Sequence, residues 1–227
     1  MATLILNSVK FSFSVRVFAW LVAVGALVLL LTLLTMAIMD NPTPSQDIRI
    51  LDWIVGWDFW GVTTLLKIVS TITDKIAGFI YVALAAIYLL LTGKAKAAIV
   101  FTGVGVTIGA VAVMGDFTLG ELVVRVRPLA SPEKISPAFP SGHVFAATVF
   151  FGFVRFLGIY YHLRTKFLLP MLVVFTAIVL LVGPSRVHVQ AHFPSDVLAG
   201  YLLGGIWLLI IIPAFLFLKN SRWLSFR

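Results

Sequence analysis

Residues 17–39 read VFAWLVAVGALVLLLTLLTMAIM, a run without a charged side chain. A helix needs about 20 mainly apolar residues to cross the hydrocarbon core of a bilayer, so this stretch predicts a membrane-spanning helix. The whole chain agrees, because 61% of its 227 residues are hydrophobic and 11% are charged, with a mean hydropathy of +1.09. A soluble domain carries about 25% charged residues. We therefore expect an integral membrane protein, and the lack of cysteine excludes disulfides, thiolate nucleophiles and Cys-ligated metals.

Six apolar runs bounded by charged residues predict six spanning helices, at approximately 17–39, 76–91, 97–124, 144–161, 167–182 and 197–218. Between the first two lies a segment in which Trp53, Trp57 and Trp60 stand among aspartates. Indole rings favour the headgroup region, which predicts short amphipathic helices lying in the interface, with a re-entrant pair as the alternative. The expected fold class is an all-α polytopic membrane protein with six transmembrane helices. One domain, residues 1–227, is expected because no repeat or long linker divides the chain.

The charges fall unequally on the two sides of these six spans. The side that holds both termini carries ten of the 17 Lys and Arg residues and no acid, whereas the other carries seven cations and all nine acids. The positive-inside rule therefore predicts that both termini are cytoplasmic in a multi-pass cell-membrane protein. The net charge of +8 is explained by this topology, and nothing further in the sequence indicates a nucleic-acid partner.

Two expected outer loops concentrate residues suited to an anion. The first, 116–142, contains RVRP (125–128) and leads into PSGH (140–143), and the second, 183–196, contains Ser185-Arg186, His188, His192 and Asp196. Ionisable groups beside a membrane segment are costly unless they pair or function, so their convergence predicts a site. Singly, a loop histidine or Arg125 has a plainer interpretation as an incidental polar residue or a lipid anchor. That interpretation does not account for the whole set.

Each residue type has a physical reason to be there. Arg127 and Arg186 offer planar forks of donors that match phosphate oxygens. Ser141 is placed to cap the fourth span, and Gly142 lets backbone approach a ligand beside the free N–H groups of a helix N-terminus. Such an arrangement predicts an anion-binding site.

Two histidines complete the predicted chemistry. His143 stands at the start of the fourth span, where it can give a proton to a leaving oxygen. His192 and Asp196 are four residues apart, and a carboxylate within reach of one imidazole nitrogen fixes the tautomer and raises the basicity of the other. That pairing predicts a nucleophile.

The order Arg-Pro, Pro-Ser-Gly-His and Ser-Arg-x5-His-x3-Asp resembles the signature of the type 2 phosphatidic acid phosphatase (PAP2) superfamily, including its bacterial membrane members. The resemblance implies that His192 attacks phosphorus to form a phosphohistidine, that Asp196 orients it, and that His143 protonates the departing lipid oxygen. It also implies that the phosphoryl oxygens are held by Arg127, Ser141, Gly142 and Arg186. No metal or other cofactor is implied.

One position departs from the family pattern. The first motif is Lys-x6-Arg-Pro, and the residue seven before Arg127 is Gly120. The lysine would contact phosphate, and the nearby cations that can substitute for it are Arg125 and Lys134. A slow or specialised member of the family is the other explanation.

The resemblance and the topology together imply a lipid phosphatase whose active site faces the extracytoplasmic side. Its expected partners are membrane lipids and a lipid phosphate or diphosphate substrate, with undecaprenyl diphosphate and phosphatidylglycerol phosphate ranked first. Two alternatives stay open: a lipid phosphotransferase, and a non-catalytic phospholipid-binding member in which Gly120 has removed activity. The oligomeric state does not follow from the sequence.

Overall fold

A computed structural model of the chain describes residues 2–93, 95–129 and 137–220, so that Lys134 lies outside the described residues. All regular secondary structure in these ranges is helical, which confirms the predicted fold class. The eight helices are α1 (Ala2–Asp40), α2 (Ser45–Val55), α3 (Val62–Ile72), α4 (Lys75–Leu91), α5 (Ala95–Val123), α6 (Gly142–Tyr160), α7 (Thr165–His188) and α8 (Pro194–Asn220).

The long helices match the predicted spans. By length and composition, five helices in the described ranges can cross a membrane, namely α1, α5, α6, α7 and α8. Helix α4 has 17 residues, and it meets the same criterion only together with α3, from which it is bent by 56°. This bent pair brings the number of candidate spans to six. The chain is therefore a multi-pass helical membrane protein.

Helix α7 corrects one expectation, since the predicted loop 183–196 begins inside it. The helix continues through Pro184 to His188, although proline lacks an amide hydrogen and usually ends a helix. The hydroxyl of Tyr201 on α8 stabilises this turn by donating to the Val179 carbonyl at 2.6 Å and accepting from the Gly183 N–H at 3.1 Å. Arg186 consequently lies on the last helical turn, where its backbone is fixed.

Helices α6 and α8 pack closely because α8 presents two glycines to α6. A Cβ atom on Gly200 would lie 2.7 Å from the Ser141 carbonyl oxygen, and one on Gly204 would lie 2.8 Å from Thr148. Small residues four apart allow such an approach. The N–H of Ser141 also donates to the Asp196 carbonyl at 3.0 Å. The N-terminal ends of α6 and α8 therefore meet at one end of the bundle.

The short helices α2 and α3 pack over this same end. Helix α2 buries Asp47, Leu51 and Ile54 on one face, and α3 buries Leu66 and Val69. Both contact α7, and α2 also contacts α8. Their burial on one face agrees with the amphipathic pattern expected of this segment.

Candidate active site

The predicted site residues come from four different parts of the chain. Arg127 follows α5, and the Ser141–His143 run lies at the start of α6. Arg186 lies in the last turn of α7. His192 comes just before α8, and Asp196 lies in its first turn. The charges of Arg127 and Arg186 both act on His192, and His143 is within electrostatic range of Arg186 and His192. The fold therefore brings the sequence motifs to one place.

His192 is buried, with only 1% of its surface exposed, and has a defined tautomer. Its Nδ1 donates to the Ala138 carbonyl at 2.7 Å. Because a carbonyl only accepts, Nδ1 carries the proton and Nε2 of the neutral ring carries a lone pair. Nε2 is buried and has no hydrogen-bond partner. A lone pair held in this way is what a nucleophile requires.

The protonation state of His192 suits the same role. Burial lowers the pKa of His192 below the ordinary value of 6.5, and the positive charges of Arg127 and Arg186 lower it further, while Asp196 opposes the shift. His192 is therefore neutral at pH 7. The neutral form is the one that can attack phosphorus.

Asp196 differs from the expectation in its contacts. Its Oδ2 atom lies 3.8 Å from His192 Nδ1, beyond hydrogen-bond distance, and instead accepts from the Phe193 N–H at 2.8 Å. The tautomer of His192 is therefore fixed by the Ala138 carbonyl, and Asp196 acts on the ring through its charge. A backbone acceptor 54 residues away has no signal in the sequence, so Ala138 was not predicted.

Four unsatisfied atoms mark the centre of the site. Among the described residues, seven buried side-chain N or O atoms lack a hydrogen-bond partner, and five belong to predicted site residues: Arg125 Nε and the four central atoms, Arg127 Nε, Ser141 Oγ, Arg186 Nε and His192 Nε2. Buried polar atoms are nearly always hydrogen-bonded, so this set indicates a ligand. Two guanidinium donors and a hydroxyl favour an anion. No group of three His, Asp or Glu side chains in the described ranges is arranged to hold a metal ion.

Arg125 corrects another expectation, because carboxylates already bind its terminal nitrogens. Nη1 donates to Asp196 Oδ1 at 2.6 Å and to Ser195 Oγ at 2.6 Å, and Nη2 donates to Asp47 Oδ2. A buried guanidinium requires such counter-charges. The contacts therefore do not support Arg125 as the phosphate ligand that replaces the missing lysine.

Gly120 itself is closely packed. A Cβ atom added there would lie 2.7 Å from the Pro137 Cβ, so even alanine would require Pro137 to move. The lysine of the family motif is thus incompatible with this backbone arrangement.

Two contacts to the site come from residues that sequence reasoning assigned to the interfacial segment. His143 Nε2 lies 3.2 Å from Asp74 Oδ2, and Arg186 Nη1 donates to Ser70 Oγ at 2.6 Å. Asp74 also caps α4 by accepting from the Ile76 N–H at 3.0 Å. An aspartate before an apolar run signals a helix start, but its partner on another helix is not readable from sequence.

Two cavities share Asp74 as a lining residue. The first has a volume of about 500 Å³ and lies between α4, α5 and α6, with Phe79, Val82, Ala112 and Phe150 in its mostly apolar wall. The second has a volume of about 420 Å³ and is lined by Ser70 and Arg186 among others. A space that includes Arg186 and Ser70 in its wall is therefore adjacent to an apolar space between helices.

The chain is similar to known proteins in both sequence and fold. Residues 112–219 match the family model of the PAP2 superfamily. Over 89 residues the chain is 38% identical to phosphatidylglycerophosphatase B of Bacillus subtilis, and the match covers 38% of this chain and 44% of that protein. The matched segment thus spans less than half of the relative. The resemblance inferred from the motifs is confirmed.

Two crystal structures have a similar fold. One is the structure of a protein described as the first transmembrane PAP2 type phosphatidylglycerolphosphate phosphatase from Bacillus subtilis. Its TM-score with this chain is 0.72 at 22% sequence identity, and the match covers 88% of this chain and 98% of that one. LpxE of Aquifex aeolicus has a TM-score of 0.54 at 16% identity, covering 75% of this chain and 96% of that one. These likenesses show that the chain has the fold of membrane PAP2 proteins.

Proposed function

We propose that this chain, whose residues 112–219 are a PAP2 superfamily segment, is a membrane lipid phosphatase that works through a phosphohistidine at His192. The observation that carries the proposal is the set of buried, unpartnered atoms formed by Arg127 Nε, Ser141 Oγ, Arg186 Nε and His192 Nε2. Three donors beside an unprotonated nitrogen are the groups that phosphoryl transfer requires, since this chemistry depends on positioning and on stabilising charge.

In the first step, His192 Nε2 forms a bond to phosphorus while the bond from phosphorus to the lipid oxygen breaks. Arg127, Arg186, Ser141 and the free N–H groups at the start of α6 stabilise the charge on the phosphoryl oxygens, so that no metal ion is required. His143 gives a proton to the departing lipid oxygen. The ring of the phosphohistidine becomes cationic, and the charge of Asp196 at 3.8 Å stabilises it.

In the second step, water attacks phosphorus and the N–P bond breaks. His143, now neutral, accepts the proton of the water molecule. Phosphate leaves, and His192 returns to its neutral form with Nδ1 still bound to the Ala138 carbonyl. The two histidines therefore have separate roles in one cycle.

The cavities suggest how a lipid binds. A headgroup beside Arg186 and His143 would leave its acyl or prenyl tail in the apolar cavity between α4, α5 and α6. Phosphatidylglycerol phosphate is a candidate from the name of the Bacillus relative, and undecaprenyl diphosphate fits an extracytoplasmic site. We infer the extracytoplasmic site and the cytoplasmic termini from the charge asymmetry of the loops. We infer one domain over 1–227 from the lack of a repeat or long linker in the sequence.

The test is phosphate release by the full chain in detergent micelles. Single lipids are supplied in turn: undecaprenyl diphosphate, phosphatidylglycerol phosphate, phosphatidate and diacylglycerol diphosphate. We expect release from at least one lipid, undiminished by EDTA, and no release by His192→Gln. Transfer of the phosphoryl group to a second lipid without release would favour a phosphotransferase, and inactivity on the whole panel would contradict the proposal.

A further inference from the structure

Asp47 is an unusual residue for a short, mostly exposed helix. An acidic residue in the first turn of a helix is favourable, but such residues normally face water. Asp47 is only 5% exposed, and both of its carboxylate oxygens are engaged. Oδ1 accepts from the Ser195 N–H at 3.0 Å, and Oδ2 accepts from the Ser195 hydroxyl and from Arg125. Helix α2 is thereby fixed to the turn that begins α8.

The contacts of Asp47 continue to His192. Arg125 links Asp47 to Asp196, and its guanidinium lies 4.2 Å from the centre of the Phe193 ring. Asp196 in turn holds the Phe193 N–H and lies 3.8 Å from His192 Nδ1. A continuous series of contacts therefore connects Asp47 to His192, although the two side chains do not touch.

We propose that Asp47 is a positioning residue for the phosphatase reaction, acting on His192 through Arg125 and Asp196. The proposal rests on the proposed function. Its physical basis is charge balance: Asp47 neutralises Arg125, so that Asp196 retains more of its negative charge for the ring of His192. Among the described residues, the other charged or titratable groups around that ring are Arg127 after α5, His143 on α6 and Arg186 on α7, with Asp74 facing His143 and Arg186.

The substitution Asp47→Asn removes the charge and keeps the shape of the side chain. Arg125 then interacts more strongly with Asp196, and the cationic form of His192 loses support. The pKa of His192, already lowered by burial, should fall further. A lower pKa means that the neutral form persists to lower pH and that Nε2 is a weaker nucleophile. We expect kcat to fall about 10-fold, with the acid limb of its pH profile moved to lower pH and KM unchanged.

Two variants serve as controls. Asp52→Asn removes a carboxylate from an exposed position of the same helix and should change nothing. The double variant Asp47→Asn with Arg125→Gln removes both charges of the pair, so Asp196 acts on His192 unopposed. In the double variant the pKa of His192 should therefore rise instead of fall. A general loss of structure would not reverse the direction of the pKa shift.

The second readout needs no activity. The full chain in detergent, labelled at histidine ¹³Cε1, is titrated by NMR, with the His192 signal assigned by His192→Gln. We expect a lower pKa of His192 in Asp47→Asn and a higher one in the double variant. If Asp47→Asn does not fold, the same titration of the double variant tests the role of Asp47.

The outcomes separate the two proposals. A His192 titration and a kcat profile that match those of Asp52→Asn would overturn the role of Asp47 while phosphate release by the wild type upholds the proposed function. An unshifted pKa of His192 in a folded double variant would overturn it as well. A wild type that releases no phosphate would overturn the proposed function. Asp47 would then have no role in that reaction, even if the pKa of His192 shifts as expected.

Discussion

Arg125 and Arg127 stand two residues apart, and the sequence offered both as ligands for phosphate. Arg125 is 2% exposed, and its terminal nitrogens bind Asp47, Asp196 and Ser195. Among the described residues, Arg127 Nη2 donates to the Pro137 carbonyl at 3.3 Å, a long contact with a neutral acceptor, whereas the Nε atoms of both arginines lack a partner. A buried cation with two counter-charges stabilises the fold, whereas a cation without a counter-charge is available to an anion.

The same contrast divides the whole end of the bundle. On the side of α2, the carboxylates of Asp47 and Asp196 neutralise Arg125. On the side of α3 and α7, Arg186 donates to the neutral hydroxyl of Ser70 at 2.6 Å, and the charges of Arg127 and Asp74 act on it. We expect loss of Arg125 on the first side to lower stability, and loss of a cation on the second side to lower turnover.

The largest effect is expected for His192. His192 and His188 both donate from Nδ1 to a backbone carbonyl, Ala138 at 2.7 Å and Ile54 at 3.1 Å, but only His192 has a buried Nε2 without a partner. His192→Gln should reduce kcat about 10⁴-fold or more, and His188→Gln should leave most of the activity. Phosphate release measures both. Comparable losses in the two variants would contradict the assignment of the nucleophile.

The next effect is on stability. Arg125→Ala leaves the carboxylates of Asp47 and Asp196 buried without their counter-charge, which should cost about 3–5 kcal/mol of unfolding free energy. Arg49→Ala, an exposed arginine of α2, is the matched control and should cost almost nothing. Reversible unfolding in mixed micelles measures both. An Arg125→Ala protein as stable as the wild type would show that the ion pairs of Arg125 do not stabilise the fold.

A smaller effect is expected for Arg127→Lys. Lysine keeps the charge and loses the planar fork, so kcat/KM should fall about 100-fold while the unfolding free energy stays unchanged. Addition of orthovanadate, an analogue of phosphate, should raise the melting temperature of the wild type more than that of the variant. Equal vanadate effects would show that Arg127 does not bind the anion.

The smallest effect concerns Gly120. Gly120→Ala places a methyl group 2.7 Å from Pro137 and should cost about 1–3 kcal/mol of stability, whereas Gly103→Ala on the same helix meets no atom within 4 Å and should be neutral. Thermal unfolding distinguishes them. For the same steric reason, Gly120→Lys should not raise phosphate release. A gain in activity would show that Pro137 can move to make room for the lysine side chain.

Much of the fold was predictable from sequence because hydrophobic length alone determines which segments can cross a bilayer. The helix boundary at Pro184 was wrong, since the residue that stabilises that turn, Tyr201, lies on the next helix. The candidate site residues could be predicted because Arg, His and the Pro-Ser-Gly-His run have few other reasons to stand at the ends of apolar segments. Asp47, Ser70 and Asp74 were missed because their spacing to the motifs carries no periodic signal.

By itself, the sequence determined a multi-pass helical membrane protein and predicted the residue types of a candidate phosphate site, because hydrophobicity and side-chain chemistry are properties of the residues. Only the tertiary structure decided that Arg125 is paired with two carboxylates, whereas Arg127 donates to a backbone carbonyl. It also assigned the proton on His192 to the nitrogen that faces Ala138. These properties depend on distances between residues far apart in the chain, and burial makes each such contact, or its absence, energetically decisive.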